Sequence, residues 1–284
     1  LSLINFKGGT GKTVLTGNVA AIAAKLYGWK VVVIDLDDTI SITQLALGGA
    51  KKKYTLVDAF EFVQQGRNVG DAICYAERYG FWLMPGATNW KSKENLKNIP
   101  HLIHNIKNSY FQGGHVDLVI IDPPGGDRDV NLSIMLGVDL VAVPLGLSAT
   151  DVASTFTTLS FLSQLHAKTS GRPEMLGLIP NQVSRKGTYD KGYLEFVMEQ
   201  GSLLPYLPQS NVIKGSYSKA NKDGKEVPIY YAPKAPATKR LIKLVHALNN
   251  PSAARKEATK EIAEYLGLDV DVLIKKNEPI LEGE

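Results

Sequence analysis

A glycine-rich segment near the start of the chain has the residue types and the spacing that phosphate chemistry requires, with the sequence KGGTGKT at positions 7–13. Its glycines allow the backbone to curl so that successive N–H groups point at phosphate oxygens. An apolar run at 1–6 leads into the segment and a helical pattern at 14–26 leads out, so the positive end of the helix dipole faces the same anion. Strand, glycine loop and helix in this order predict a phosphate-binding P-loop.

Two side chains of this loop are predicted to act on the phosphates directly. Lys12 would reach the β- and γ-phosphates of a nucleotide, and the Thr13 hydroxyl would ligate Mg²⁺. The phosphates themselves would lie against the backbone of the loop, which consists of Gly8, Gly9, Thr10 and Gly11.

A second candidate for the same chemistry lies much later in the chain. Residues 116–122 read VDLVIID, a hydrophobic strand that ends in an aspartate, and residues 123–126 read PPGG. Many buried strands end in aspartate, so the pattern is weak alone, but the upstream P-loop strengthens it. Asp122 would then hold a water molecule bound to Mg²⁺.

The elements that must position these residues alternate between strands and helices. Continuous apolar or β-branched runs predict strands at 1–6, 30–35, 81–85, 116–122, 139–144 and 175–180. Helical spacing predicts helices at 12–27, at 55–65, at 91–109 with an interruption near Pro100, and at 149–168. This alternation predicts an α/β fold with a doubly wound, mostly parallel central sheet flanked by helices, whose ligand crevice lies at the carboxyl ends of the strands.

Composition limits the class of protein. The chain has 284 residues, of which 44% are hydrophobic, and this suits one sizeable α/β domain or two small ones. Cys74 is the single cysteine, so an intrachain disulfide and an iron–sulfur cluster held by paired cysteines are excluded. No apolar run reaches transmembrane length and no signal peptide is visible. We therefore expect a cytoplasmic protein.

Lys7 is a second lysine, at the start of the loop, and KGGxGKT resembles the deviant Walker A motif of the ParA/MinD family of ATPases. The resemblance runs from residue 1 to about residue 249. It implies the deviant Walker A subclass of the P-loop NTPase fold, with ATP and Mg²⁺ as cofactors. It also implies that Lys7 reaches across a nucleotide sandwich dimer to the partner's phosphates, so that Lys7 and Lys12 both serve catalysis.

Further residues take their predicted roles from the same resemblance. Residues 35–38 read DLDD where the family has a D-x-D-P-Q-like segment, which implies that Asp37 helps to position the attacking water. Asn181, at a strand end, resembles the family's adenine contact. For both residues the structural alternative is a side chain that stabilises a turn. The region from residue 203 onward resembles the family's closing segment, which implies three more residues near the base: Pro208, Gln209 and Ser210.

Val14 departs from the family pattern. The family usually has a second hydroxyl residue there, near the α-phosphate, so we expect Val14 to line the nucleotide site without donating a hydrogen bond. Because Val14 cannot make this charge-assisted contact, we expect nucleotide binding to be weaker by roughly 1–3 kcal/mol than in a Val14→Thr variant, unless Thr16 or a water molecule compensates.

The resemblance implies a ParA-type partition ATPase. Such a protein forms a homodimer in the ATP state, binds DNA without sequence specificity and hydrolyses ATP slowly, which drives the segregation or positioning of a plasmid, a chromosome or another cargo. A centromere-binding or adaptor protein would stimulate its ATPase activity. We expect the ATPase domain at residues 1–249, a helical extension with an acidic tail at 250–284, and a nucleoid-associated location in the cytoplasm.

Charge is distributed unevenly along the chain. Residues 181–260 contain fourteen Lys and Arg against six Asp and Glu, whereas residues 261–284 contain two against seven. A basic face predicts contacts with DNA phosphates, although an ordinary scatter of surface charge would give similar counts. The residues predicted to contribute are Arg185, Lys214, Lys239 and Lys243.

Two other functions stay open as alternatives. A MinD-like membrane-associated positioning ATPase ends in a basic amphipathic helix on anionic lipid, whereas the last residues here are acidic, so we expect no membrane partner. A biosynthetic P-loop ligase of the dethiobiotin synthetase type would need a small-molecule pocket, and Lys7 would be harder to explain in it.

Overall fold

The computed structural model of the chain describes residues 1–48, 50, 52–111, 113–184, 188–199, 202–215 and 232–268. These residues form nine strands: β1 (Ser2–Leu3), β2 (Val31–Asp35), β3 (Cys74–Ala76), β4 (Phe81–Met84), β5 (Tyr110–Phe111), β6 (Gly114–His115), β7 (Leu118–Asp122), β8 (Leu140–Leu145) and β9 (Glu174–Pro180).

The same described residues form ten α-helices and a 3₁₀ turn at Val69–Ala72. The helices are α1 (Lys12–Tyr27), α2 (Ser41–Leu47), α3 (Leu56–Gln64), α4 (Lys93–Lys107), α5 (Arg128–Gly137), α6 (Ala149–Thr169), α7 (Thr188–Glu199), α8 (Asn211–Gly215), α9 (Pro236–Asn249) and α10 (Pro251–Leu266). No helix in the described ranges is both long and apolar enough to span a bilayer.

β1 lies inside a seven-stranded sheet with the order β3-β4-β2-β7-β1-β8-β9. Neighbouring strands are parallel, except that β3 runs antiparallel to β4 at one edge. β2 and β7 pair in a register that sets Asp35 opposite Asp122. Because the carboxyl ends of parallel strands share one edge, the loops after β1, β2 and β7 converge there.

The helices cover both faces of the sheet, which explains why its strands are continuously apolar. Val32 and Ile34 of β2 pack in the core under α3, α4, α5, α6 and α7, whereas Val31 and Val33 pack on the opposite face with α1, α2 and α9. All five residues of β2 are buried. The predicted α/β fold with a doubly wound, mostly parallel sheet is confirmed.

α4 corrects one prediction, because it runs from Lys93 to Lys107 without a break at Pro100. A β-carbon on Gly137 of α5 would lie only 2.8 Å from the Pro100 Cα, so the missing side chain of Gly137 allows the two helices to pack closely at the proline. This tertiary packing, together with buried Ile99, Leu102, Ile103 and Ile106, compensates for the backbone bond that proline cannot make. The sequence prediction also lacked α2, α5, α7, β3 and the β5–β6 hairpin.

The region after the predicted boundary at residue 249 continues in α10, which packs against α9. A guanidinium nitrogen of Arg240 on α9 lies 2.6 Å from a carboxylate oxygen of Glu261 on α10. Ile262 and Ala263 of α10 are buried in the core. The first part of the predicted extension therefore contributes to the same folded unit, while residues 269–284 lie outside the described residues.

Candidate functional site

The glycine loop lies between β1 and α1, as its sequence predicts. Gly9 and Gly11 have positive φ angles of 80° and 91°, a conformation that favours glycine. Gly125, in the loop after β7, approaches so closely that a β-carbon there would lie 3.2 Å from the Gly8 Cα. The loop is thus a tight turn held from outside by the segment that follows Asp122.

Lys12 is the first residue of α1 and is only 6% exposed. Its ammonium group donates a hydrogen bond to the backbone oxygen of Lys7 at 2.9 Å, across the mouth of the loop. Burial lowers the pKa of Lys12, while the nearby Asp122 and Asp37 carboxylates act to raise it. A phosphate group would give this buried cation a direct, charge-assisted hydrogen bond.

Asp122, at the end of β7, is fully buried. Neither of its carboxylate oxygens accepts a hydrogen bond of normal geometry from the described residues. Burial, followed by the charge of Asp35, raises the pKa of Asp122 well above its ordinary value, while Thr13 and Lys12 act to lower it. A buried carboxylate with free lone pairs fits a hard cation such as Mg²⁺, or the water bound to it.

Asp35 is also buried, but its carboxylate is fully engaged. It accepts hydrogen bonds from the Thr43 backbone N–H at 3.1 Å, from the Thr43 hydroxyl at 2.5 Å and from the Asp37 N–H at 3.2 Å. Burial raises its pKa to about 6 despite these bonds. Gly86 packs against Asp35, and a side chain at position 86 would clash, since a β-carbon there would lie 2.9 Å from the Asp35 carboxyl carbon. Asp35 therefore holds the loop that carries Asp37.

Asp37 lies in a turn at residues 37–40 and lines the cavity beside the glycine loop. Its Oδ1 accepts hydrogen bonds from both the N–H and the hydroxyl of Thr39, each at 2.8 Å. Ile40 adopts φ 46° as the cap of α2. Asp38 and Thr39, which replace the proline and glutamine of the family pattern, thus form a hydrogen-bonded turn that holds Asp37 in place.

Lys7 points along the outside of the loop toward the first turn of α6. Its ammonium lies 2.6 Å from Asp151 Oδ1 and 2.7 Å from the Thr150 hydroxyl. The Lys7 side chain is 34% exposed, so it lies at the surface next to the glycine loop.

Asn181, predicted to contact adenine, packs against the glycine loop. Its amide donates to the Thr10 backbone oxygen at 2.9 Å, and its own oxygen accepts the Gln182 N–H at 2.9 Å. Gln182, with φ 60°, donates from Nε2 to the Gly9 backbone oxygen at 3.4 Å. Asn181, the residue after β9, therefore supports the loop backbone, and its contact with adenine stays a prediction.

The segment with the other predicted base contacts runs beside the end of β9. Pro208 forms a bridge with Val183, and the Gln209 N–H donates to the Val183 oxygen at 2.9 Å. The Ser210 hydroxyl accepts the Val212 N–H at 3.1 Å and so begins α8. The tertiary structure thus brings residues 208–210 close to Asn181, at the same edge of the sheet.

Val14 lines the cavity, whereas Thr16 is fully buried. The Thr16 hydroxyl has no hydrogen-bond partner among the described residues and has no solvent-accessible surface. Thr16 is not among the residues that line the cavity beside the glycine loop.

One cavity of about 740 Å³ lies beside the glycine loop. The predicted site residues in its lining are Gly8, Gly9, Gly11, Lys12, Thr13, Val14 and Asp37. Pro124 and Gly125, from the PPGG turn that the sequence had singled out, also line the cavity. Sequence reasoning did not select its other lining residues, which are Asp38, Thr39, Lys91, Asp127 and Gln182. A charged residue after each of two strands, Lys91 after β4 and Asp127 after β7, was the available signal.

Two of the basic residues predicted to contact DNA, Lys239 and Lys243, lie one turn apart on α9 but differ in their surroundings. Lys239 is exposed on α9. The Lys243 ammonium forms ion pairs with two glutamates of α10, Glu257 at 2.7 Å and Glu261. These two carboxylates compensate its charge. Arg185 and the side chain of Lys214 lie outside the described residues.

Comparison with known proteins agrees with this geometry. The family model for the CobQ/CobB/MinD/ParA nucleotide binding domain, CbiA, matches residues 1–251. An uncharacterised ATP-binding protein of Methanocaldococcus jannaschii is 26% identical over 250 residues, which cover 86% of this chain and 85% of that protein.

Solved structures share the fold. Apo McdA of Cyanothece has a TM-score of 0.71 at 19% identity and covers 87% of this chain and 98% of its own. MinD of Pyrococcus horikoshii, solved with Mg-ADP, has a TM-score of 0.67 at 23% identity, with coverages of 88% and 95%. Cobyrinic acid a,c-diamide synthase of Mycobacterium smegmatis, solved with an ATP analogue and magnesium, has a TM-score of 0.66 at 19% identity, with coverages of 89% and 96%.

The family match at residues 1–251 includes the glycine loop, Asp37 and Asp122. It agrees with the resemblance to the ParA/MinD family that the KGGTGKT motif indicates. The chain therefore belongs to the CobQ/CobB/MinD/ParA family of nucleotide-binding domains.

Proposed function

We propose that this chain is an ATPase of the ParA/MinD type that binds ATP and Mg²⁺ in the cavity beside the glycine loop. The observation that carries the proposal is Asp122, a fully buried carboxylate that accepts no hydrogen bond of normal geometry from the described residues, near Thr13 and the buried Lys12. A cation and a triphosphate together would compensate both charges.

The residues of the loop would divide the work of binding. Backbone N–H groups of residues 8–13 and the Lys12 ammonium hold phosphate oxygens, while Thr13 and Asp122 hold Mg²⁺ directly or through water. Mg²⁺, when bound, would neutralise negative charge on the phosphates while the γ-phosphoryl group is transferred to water. Val14 contributes only apolar contact.

Asp37 is the residue that we propose to orient the attacking water. Thr39 donates two hydrogen bonds to Oδ1, and these fix the orientation of the Asp37 carboxylate. In this proposal Oδ2 is the oxygen that acts on the water. Positioning of this kind accounts for most of catalysis in phosphoryl transfer. The Asp37→Ala protein should bind ATP but hydrolyse it poorly, and the Lys12→Ala protein should lose binding in isothermal titration.

Two subunits would form the ATP state, with Lys7 reaching the partner's phosphates. The surface position of Lys7 beside the loop supports this proposal. Slow hydrolysis, stimulated by an adaptor or centromere-binding protein, would then time the separation of the dimer and position a plasmid, a chromosome or another cargo.

Non-specific DNA binding would link this cycle to the nucleoid. A dimer presents two copies of each basic residue, and every neutralised phosphate adds nearly one unit to the salt dependence of binding. Lys239 is the better-exposed candidate, because Lys243 is already paired with α10.

Fluorescence anisotropy with random-sequence duplex DNA tests this proposal. Binding should require ATP rather than ADP, fall steeply with salt and weaken in Lys239→Glu, whereas Lys97→Glu on the exposed side of α4 serves as the control. Equal binding in ADP would contradict a DNA carrier, and ATP turnover that depends on a small metabolite would favour the biosynthetic members of the family.

A further inference from the structure

Lys91 joins two loops that border the nucleotide cavity. Its ammonium lies 2.7 Å from Asp38 Oδ2 and 2.8 Å from Asp127 Oδ2. Asp38 belongs to the loop after β2, and Asp127 ends the loop after β7. Lys91 itself lies in a third loop, between β4 and α4, so one side chain connects three of the segments at the carboxyl edge of the sheet.

The backbone around Lys91 is held firmly on both sides. Trp90 is 1% exposed and stacks on Phe60 with ring centroids 5.7 Å apart and planes at 18°. Ser92 caps α4 by accepting the Asn95 N–H at 3.0 Å, and the Asn95 amide donates back to the Trp90 oxygen. Because both neighbours are anchored, forming the bridge orders mainly the Lys91 side chain, and little backbone entropy is lost.

Each carboxylate that Lys91 contacts is tied to a residue of the proposed mechanism. Asp38 directly follows Asp37 in the same hydrogen-bonded turn. Asp127 accepts the Val130 N–H at 3.1 Å as the cap of α5, and it closes the loop that begins after Asp122. Burial acts to lower the pKa of Lys91, but the two carboxylates raise it overall, so the Lys91 ammonium is charged at neutral pH.

We propose that Lys91 is a positioning residue for ATP hydrolysis, which couples the loop of Asp37 to the loop after Asp122 through Asp38 and Asp127. The inference rests on the proposed ATPase function. It differs from a role in binding, because a residue that acts through Asp38 and Asp127 should change turnover and leave ATP affinity nearly unchanged.

The first test compares turnover with affinity. Lys91→Met should lower kcat by roughly tenfold while the dissociation constant for ATP changes by less than about twofold, because misplacement of Asp37 affects the transition state. Lys91→Arg keeps the charge and should recover most of the rate. Lys107→Met is the matched control, since Lys107 forms a similar ion pair with Asp139 at 2.8 Å at the opposite edge of the sheet.

The second test needs no nucleotide. Amide hydrogen exchange of the nucleotide-free protein should become faster at residues 36–40 and at residues 125–127 in Lys91→Met, and unchanged in Lys107→Met. In an Asp38→Asn background, Lys91→Met should cause a smaller additional increase at residues 36–40, because that half of the bridge is already lost. Lys91→Gln provides a second variant if Lys91→Met fails to fold.

The possible results distinguish a failure of the Lys91 inference from a failure of the proposed ATPase function. Unchanged kcat and unchanged exchange in a Lys91 variant of an active ATPase would overturn the inference. A large loss of ATP affinity at normal kcat would also overturn it, because it would show direct contact with phosphate. A wild-type protein without ATPase activity would overturn the proposed function, and the exchange measurement would still decide whether Lys91 joins the two loops.

Discussion

The ammonium group of Lys7 and the carboxylate of Asp151 form an ion pair at 2.6 Å within one subunit. The second oxygen of Asp151 accepts a hydrogen bond from the Ser148 hydroxyl, which caps α6. Burial acts to raise the pKa of Asp151, but the bonds from Lys7 and Ser148 lower it overall. If Lys7 serves a partner subunit, it must leave this pair when the ATP dimer forms.

Lys7→Ala separates nucleotide binding from dimerisation. The variant should bind ATP within roughly threefold of the wild type, since Lys12 remains, but it should stay monomeric. Light scattering with ATP measures the mass, and Lys97→Ala is the control. A normal ATP dimer of Lys7→Ala would remove the cross-subunit role.

Asp151→Asn should favour the ATP dimer, because Lys7 then breaks no ion pair within its own subunit when the dimer forms. The pair is partly exposed and worth at most about 1 kcal/mol, and a dimer breaks one pair in each subunit, so the dimer should form at up to roughly 30-fold lower protein concentration. Concentration-dependent light scattering with ATP measures this shift, with Asp71→Asn, on the exposed 3₁₀ turn, as the control. Weaker dimerisation would mean that Asp151 itself serves the interface.

Asp122→Asn should stabilise the nucleotide-free protein while removing its response to Mg²⁺. The folded protein holds protons on Asp35, whose pKa rises from 3.8 to about 6, and on Asp122 at pH values where the unfolded chain has lost them. The free energy of unfolding contributed by these groups therefore falls as pH rises through this window. At pH 8 the variant's Tm should exceed that of the wild type by roughly 3 °C or more.

Thermal unfolding at several pH values between 4 and 8 tests this prediction for both proteins, with and without Mg·ADP. The advantage of Asp122→Asn should shrink at acidic pH, where the wild-type carboxyl is protonated. A variant that is less stable than the wild type at pH 8 would show that the Asp122 charge is compensated in the folded protein.

Val14→Thr should strengthen nucleotide binding by about 1–3 kcal/mol, or roughly 5- to 150-fold, because it supplies a donor near the phosphates that Thr16 does not provide. Isothermal titration with ATP and ADP measures the gain. Threonine is nearly isosteric with valine, and Val14→Ala, which removes both methyl groups and adds no hydroxyl, controls for altered packing. An equal affinity of Val14→Thr and the wild type would mean that position 14 does not face the phosphates.

Local sequence was sufficient to predict the phosphate loop and the strands beside it. KGGTGKT sets the backbone of its own turn through glycines at positive φ, and the apolar run of β2 predicts its burial directly. The order of strand, loop and helix, and the aspartate that ends β7, predicted that Lys12 and Asp122 would meet at one edge of the sheet. These features depend on residues close together in the chain or on the general geometry of parallel sheets.

Tertiary packing decided what each remaining side chain contacts. Asn181 supports the loop backbone at Thr10, Lys243 is compensated by α10, and α4 passes Pro100 without a break because Gly137 lies against it. Lys91 meets Asp38 and Asp127 only because three separate loops converge. Contacts between residues so distant in sequence leave no periodicity or spacing to read, since their distances are set by how helices and strands pack against one another.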